Sequence, residues 1–314
     1  MLVFHPHLTR KLVEIERNQT RFVHYTSAEV ALTILKTGKV WMRQASCMND
    51  VLEVEHGFQC LSKAYKGPHG ERLRKTLDSR FPGIVKEIEK QFDDSLNTLR
   101  YETFITCLSE HAGEGHEYED QYGRGSMWRA YGRGKGVALV IKQDPFWTTS
   151  TALGAFTSPV AYLNDEGFAD ELAILANNLD AHSAYLDQIG RDWTRHSILQ
   201  AFHFASVSTK HPGFSEEREW RVISSKALPF ACPLTKTIEC VAGIPQAVLQ
   251  LELKNDHGMN NMTVPELLDR VIIGPTEYPY PVYDAFLTAM GEAEIPEHHK
   301  KLFVSHVPLR ATAT

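Results

Sequence analysis

The stretch FVHYTSAEVALTILKTGKVWMR, residues 22–43, predicts a strand, a helix and a second strand in direct succession. Phe22-Val23-His24-Tyr25 has the aromatic and β-branched content of a short strand. Thr26-Ser27-Ala28-Glu29 fits a capping box, with Thr26 as the N-cap and Glu29 three residues further on. The helix then ends at Gly38, because glycine readily adopts the left-handed conformation of a helix C-cap. The second strand, Lys39 to Arg43, follows directly.

Helical and strand-like segments continue along the rest of the chain. Helical spacing predicts helices within about 53–100 and 165–208, and the first of these regions breaks at Phe81-Pro82-Gly83. Strands are predicted at Phe104–Leu108, Gly136–Ile141, Trp220–Ile223, Val248–Leu253 and Val271–Ile273, and further helices around 265–270 and 281–290. The Gly-rich, acidic stretch His111 to Gly125 predicts a mobile loop. We expect one α+β domain over residues 1–314, with a central mixed β-sheet and helical insertions at about 53–100 and 165–208.

Composition restricts the partners and the compartment. A formal net charge of −6 argues against a protein whose main partner is a nucleic-acid backbone. The five cysteines are scattered, with no spacing typical of a zinc site or a disulfide framework, and they favour reduced cytoplasmic thiols. No segment has the length or the apolar content of a membrane span or a signal core, so we expect a cytoplasmic protein without a membrane partner. We predict no metal site, because His5-Pro6-His7 and His298-His299 have too few companions.

Charged and aromatic residues are clustered in Glu216-Glu217-Arg218-Glu219-Trp220-Arg221. In a strand, alternation would place Glu217, Glu219 and Arg221 on one face. A purely structural interpretation is a solvated edge strand with a Glu–Arg ion pair. Similarly, His24 fits a hydrogen-bonded histidine at a strand end. Residue types alone leave both interpretations open.

The segment Gly132-Arg133-Gly134-Lys135-Gly136 has the glycines and cations of a phosphate-binding loop. It is followed by the predicted strand Gly136–Ile141 and not by a helix. We therefore favour a tight turn.

These clusters and their order resemble a bacterial family, domain-of-unknown-function family 2971. The residues that carry the resemblance are His24-Tyr25-Thr26-Ser27 with Ile34, Leu35 and Gly38; Asn49-Asp50 with Glu53; Ser126-Met127-Trp128-Arg129 with Tyr131, Gly132 and Gly136; Lys210, Phe214 and Glu217 to Arg221; Ile273-Gly274-Pro275; and Ser305 to Arg310. The opening motif also looks like the first motif of the ADP-ribosyltransferase superfamily. There, a His or Arg on the first strand precedes a small hydroxyl residue and a helix that ends in Gly.

The resemblance implies that NAD is the substrate. It implies that His24 contacts the nicotinamide ribose or amide, that Tyr131 stacks on nicotinamide, and that Glu219 is catalytic. Glu217 would orient the acceptor or a water molecule. The acceptor would be a protein, a nucleic acid or water, and the protein a toxin or phage-defence effector.

The chemistry suits these residue types. Cleavage of the nicotinamide bond develops positive charge on the ribose, which an ionised carboxylate stabilises. Trp128 or Tyr131 offers a flat ring, and Arg129 could pair with the pyrophosphate. We also count as NAD-binding candidates Tyr25, Thr26, Ser27, Asn49, Asp50 and Arg221. Because Ser126 to Gly132 looks like a helical turn, Tyr131 could instead be a packing residue, and Asn49, Asp50 and Glu53 could tie down a loop.

Many of these residues are also compatible with two other functions. A metal-dependent nuclease or phosphodiesterase would use His24, Asp50, Glu53 and the later glutamates around a divalent ion. A non-catalytic nucleotide-binding module would use Arg129, Lys135 and Arg221 to hold an anion.

Overall fold

The structure is a computed structural model that describes residues 3–48, 54–112, 115–132, 135–144, 154–228, 234–241, 243–256 and 259–309. The helices are α1 Pro6–Asn18, α2 Ala28–Thr37, α3 Glu55–Lys66, α4 Pro68–Arg80, α5 Ile84–Tyr101, α6 Glu119–Tyr122, α7 Gly125–Met127, α8 Asp165–Ala181, α9 Ser183–Val207, α10 Val264–Leu267, α11 Pro279–Glu292 and α12 His298–Lys301. The strands are β1 Arg21–Ser27, β2 Lys39–Gln44, β3 Thr103–His111, β4 Gly136–Ile141, β5 Phe156–Pro159, β6 Ala161–Tyr162, β7 Thr209–Lys210, β8 Glu219–Ser225, β9 Thr235–Val241, β10 Ile244–Glu252, β11 Leu268–Ile273 and β12 Leu302–Val304. In the described ranges, no helix has both the length and the apolar content to cross a membrane.

A large mixed sheet organises the chain, as the sequence predicted. Its order is β12-β11-β4-β1-β3-β2-β10-β9; β8 also pairs with β3, and β5 with β8. Within this sheet the described pairs are antiparallel except for β11 with β12, and β6 and β7 form a separate parallel pair. The fold is therefore α+β with a central mixed sheet.

Strand pairing is interrupted in the middle of one edge of β3. β1 pairs there only from Arg21 to Val23, opposite Ser109 to His111. β2 pairs with β3 only through Arg43 and Gln44, opposite Ile105 and Phe104. Meanwhile β1 stays paired with β4 as far as Ser27. Residues 106–108 of β3 are therefore left without a strand partner on that edge, whereas β8 pairs along the other edge.

The two helical insertions pack against each other. α8 lies against α3 and α4, and α9 lies against α3 and α5. Their contact faces form one apolar core that includes Leu73, Ile84, Leu179 and Ile198. The predicted break before α5 is confirmed, since Gly83 adopts a φ of 84° that favours glycine.

Several local predictions need correction. The N-cap of α2 is Ser27, whose Oγ accepts a hydrogen bond from the Val30 N–H, and not Thr26. Because β1 continues its pairing with β4 through Ser27, Thr26 stays extended. The helix predicted around 265–270 is one turn that ends at Leu267, where β11 begins. The stretch after His111 is anchored by the buried carboxylate of Glu119 in α6. The C-cap at Gly38 and the bounds of β4 are confirmed.

Candidate functional site

A cavity of about 500 Å³ lies over the unpaired part of β3. This volume is within the range of small-molecule sites. Its walls come from β1 and the start of α2, from β2, from the end of β9, from the turn around Tyr131 and from the start of β8. The lining residues include His24, Tyr25, Thr26, Ser27, Thr33, Lys39, Trp41, Arg43, Thr106, Cys107, Ser109, Met127, Tyr131, Glu217, Glu219 and Cys240.

His24 lies on β1, just after the last residue of β1 that pairs with β3. Its Nδ1 lies 2.9 Å from the carbonyl oxygen of Cys107. Since a carbonyl only accepts, Nδ1 carries the proton and Nε2 is a free acceptor. Burial lowers the pKa of His24, so the ring is neutral at pH 7. Among the described residues Nε2 has no hydrogen-bond partner, which leaves it available to a ligand hydroxyl or amide.

Tyr25, Thr26 and Ser27 also line the cavity, but two of them have structural partners. The hydroxyl oxygen of Tyr25 accepts a hydrogen bond from the Arg124 N–H at 2.9 Å, and its ring packs edge-on against Trp128. Ser27 caps α2. These contacts fix the entry of β1 into α2.

Two carboxylates meet at the β8 side of the cavity. Glu217 Oε2 accepts from Lys210 Nζ at 2.8 Å, and Glu219 Oε2 accepts from the same nitrogen at 3.3 Å. Glu219 Oε1 accepts from Arg221 Nε at 2.9 Å. We call Lys210, Glu217, Glu219 and Arg221 the cavity cluster. It contains two negative and two positive charges and is therefore neutral as a whole.

The two carboxylates differ in access. Glu219 is 5% exposed, and each of its oxygens contacts a cation. Burial raises the pKa of Glu219, but the positive charges of Arg221 and Lys210 outweigh this effect and hold it well below the usual range. Glu217 is more exposed, and its Oε1 accepts from the neutral hydroxyl of Tyr131 at 3.3 Å. Burial and the nearby charge of Glu217 raise the pKa of Tyr131, so Tyr131 remains a hydrogen-bond donor.

The backbone brings these carboxylates together in a way that differs from the sequence prediction. Glu217 ends a 3₁₀ turn, Pro212–Glu217, and does not belong to a strand. Arg218 then adopts a left-handed φ of 44°, and β8 begins at Glu219. Tyr162 accepts the Glu219 N–H at 2.8 Å and secures this start. The left-handed residue turns Glu217 back toward Lys210. The sequence instead predicts that strand alternation places Glu217, Glu219 and Arg221 on one face.

Other predicted ligand residues do not line the cavity. Trp128 is 3% exposed and donates its indole N–H to the Tyr122 carbonyl. Arg129 is exposed on the π-helical turn Trp128–Gly132. Arg221 is fully buried and bonds to the Val207 carbonyl in addition to Glu219. The predicted helical turn exists, but it presents Met127 and Tyr131 to the cavity, whereas Trp128 packs in the core.

Three remaining candidates, Asn49, Asp50 and Glu53, lie outside the described residues. Lys135 is exposed, and its N–H donates to the Gly132 carbonyl at 2.7 Å. Within the described ranges, no group of three or more His, Cys, Asp or Glu side chains could hold a metal ion.

Sequence reasoning missed the wall that β2 contributes. Lys39, Trp41 and Arg43 alternate along β2 and all line the cavity. Because β2 and β8 pair with opposite edges of β3, this wall faces the cavity from the side opposite the carboxylates. The sequence feature that could have indicated this wall is the alternation of Lys39, Trp41 and Arg43 within a predicted strand. The cavity therefore has cations of β2 on one side and two carboxylates that are already paired with cations on the other.

Residues 127–222 match the family described as Protein of unknown function (DUF2971). The matched segment contains Tyr131 and the whole cavity cluster, whereas His24 and the β2 wall lie before it. No curated protein and no solved structure matches the chain.

Proposed function

We propose that this chain, whose residues 127–222 match the DUF2971 family, cleaves NAD at the bond between nicotinamide and ribose. One observation carries the proposal: His24, Tyr131, Glu217 and Glu219, from three distant parts of the sequence, line a single cavity. The β2 wall also suits NAD, because Lys39 and Arg43 are cationic and the diphosphate of NAD is anionic.

The proposed step breaks the bond from ribose C1′ to the nicotinamide nitrogen. The leaving nicotinamide keeps the bonding electron pair and becomes neutral, while positive charge develops on the ribose. A water molecule or an acceptor hydroxyl then adds to C1′ and loses its proton. An ionised carboxylate near C1′ stabilises this charge most strongly in the transition state.

Glu217 is the carboxylate that we assign to the ribose. Both oxygens of Glu219 are held by cations, so its charge is already compensated. Glu217 shares Lys210 but offers its other oxygen toward the neutral Tyr131 hydroxyl. We therefore assign Glu219 a positioning role through Lys210, although the sequence resemblance implied the reverse.

His24 and Tyr131 complete the proposed site. The unprotonated Nε2 of His24 would accept a hydrogen bond from a ribose hydroxyl or from the amide of nicotinamide. The Tyr131 ring would pack on nicotinamide while its hydroxyl holds Glu217.

The acceptor in this proposal is a protein, a nucleic acid or water, and a toxin or phage-defence role rests on resemblance alone. We propose the cytoplasm as the site of action. The support is that no disulfide joins the described cysteines, as is usual in reducing compartments.

The test is release of nicotinamide from NAD by the purified chain, beside Glu217→Gln, His24→Ala and Arg129→Ala. We expect the wild-type chain and Arg129→Ala to release nicotinamide and the other two variants to lose most of this activity. Absence of release by the wild-type chain with water, protein extract or nucleic acid as acceptor would contradict the proposal. So would equal release by all four proteins.

One observation favours a second candidate, a module that binds the dinucleotide without cleaving it. The cavity cluster is electrically neutral, as expected for a structural ion-pair network. Calorimetry that shows tight NAD binding, together with no nicotinamide release, would select this function.

A further inference from the structure

We infer that Trp41 and Arg43 on β2 form a subsite for an adenosine diphosphate group, in which Trp41 stacks on the base and Arg43 binds the diphosphate. The inference rests on the proposed function, because it assigns the second half of the proposed substrate to the wall opposite the carboxylates.

Trp41 lacks the environment of a core residue. It is partly exposed and belongs to none of the hydrophobic clusters formed by the described residues. In the same described part of the chain, its ring contacts no other aromatic ring and its indole N–H has no acceptor. Its neighbours Val40 and Met42, in contrast, pack in a core cluster. A large flat ring left without partners beside a cavity suits stacking on a planar ligand.

Arg43 is oriented but not neutralised. Its Nε donates to Gln246 Oε1 at 3.1 Å, and a terminal nitrogen donates to the Cys47 carbonyl at 2.5 Å. Gln246 is itself buried. Among the described residues, no carboxylate pairs with Arg43. A half-buried guanidinium that is fixed by neutral acceptors retains its charge and its remaining N–H groups for an anion.

The spacing joins the two side chains into one site. Residues two apart on a strand point to the same face and are about 7 Å apart. A base on Trp41 and a phosphate on Arg43 can therefore belong to one ligand. Lys39 continues the row, but it already lies 3.5 Å from Glu252. We therefore assign the diphosphate to Arg43.

The test measures binding of ADP, ADP-ribose and nicotinamide mononucleotide by calorimetry, separately from nicotinamide release. The variants are Trp41→Ala and Arg43→Met, with Trp41→Phe and Arg43→Lys as conservative partners. Arg17→Met, at an exposed arginine on α1, and Trp193→Ala, at an exposed tryptophan on α9, are the matched controls. Circular dichroism confirms that each variant is folded.

We expect Trp41→Ala and Arg43→Met each to weaken binding of ADP and ADP-ribose about tenfold or more, as loss of one stacking or charge-assisted contact does. The conservative variants should recover part of the affinity. Binding of nicotinamide mononucleotide should change less than that of ADP, and the controls should bind like the wild type.

Unchanged ADP affinity in both variants, or no ADP binding by the wild-type chain, would overturn the inference. ADP binding that depends on Trp41 and Arg43 would uphold the subsite even if no nicotinamide is released, in which case only the proposed cleavage fails. If both variants release nicotinamide and bind NAD with unaltered affinity, the subsite is rejected and the proposed cleavage is retained.

Discussion

Two clusters of buried charges both include residues of the segment 217–221, but only one of them borders the cavity. The cavity cluster contains Glu217, Glu219 and Arg221. A second group, the closed cluster, consists of Glu119, Arg124 and Arg218, and Glu119 in it is 1% exposed. None of its members lines the cavity. Burial and ion pairing are common to both clusters, so access to the cavity is what distinguishes a candidate site from a structural network.

The largest effect that we expect is on the closed cluster. Glu119→Ala removes the carboxylate that pairs with Arg124 and Arg218 and accepts the Ala112 N–H, and it leaves two arginines uncompensated. We expect the free energy of unfolding to fall by about 3 to 5 kcal/mol, as for other broken buried pairs. Urea unfolding measures this change. Glu71→Ala, which breaks an exposed pair with Lys75, is the control and should change the free energy of unfolding far less. Equal losses in the two variants would remove the distinction between buried and exposed pairs.

A smaller effect, on activity, is expected in the cavity cluster. Glu217→Gln preserves the shape of the side chain but removes the charge that we assign to the ribose, together with one of the two acceptor oxygens. We expect kcat for nicotinamide release to fall by about 10²- to 10³-fold, with NAD affinity nearly unchanged. Single-turnover kinetics and calorimetry measure the two quantities. A loss of affinity with an unaltered kcat would mean that Glu217 binds the substrate without acting in the chemical step.

We expect Glu219 to make the free energy of unfolding depend on pH in the acidic range. Its folded pKa lies below the unfolded value, so its contribution is complete above the unfolded pKa of about 4.3 and is lost as the pH falls through the lower folded pKa. Glu219→Gln should therefore reduce stability by roughly 2 kcal/mol at pH 7, and the difference from the wild type should shrink below about pH 4. Thermal unfolding across this range tests it. A constant difference at all pH values would show that packing and not charge is responsible.

The smallest effect concerns Tyr131. Tyr131→Phe keeps the ring and removes the hydroxyl that donates to Glu217. A hydrogen bond to an ionised carboxylate contributes about 1.5 to 3 kcal/mol, and the length of this one places it at the lower end, so kcat/KM should fall about tenfold. Tyr131→Ala, which also removes the ring, should in addition weaken NAD binding. If Phe and Ala have the same effect, the hydroxyl and not the ring carries the role of Tyr131.

The sequence was informative wherever local periodicity decides structure. The bounds of β4, the C-cap at Gly38 and the break before α5 are local properties, set by apolar runs and by glycine. The same reasoning missed α1 and the exposed strand β9, whose pattern is weak because few of its side chains are buried. It also misplaced the N-cap of α2, because pairing of Ser27 with β4 overrode a local capping preference.

By itself, the sequence determined the α+β class, most of the helices and which residue types were available for chemistry, because these depend on short-range pattern and composition. Only the tertiary structure decided which of those residues share a cavity. Arg218 in the left-handed region turns Glu217 toward Lys210, and the separation of β1 from β3 exposes His24 beside Cys107. Trp128 lies in the core, whereas Trp41 lies on the cavity wall. This difference depends on long-range strand pairing, which no local sequence pattern encodes.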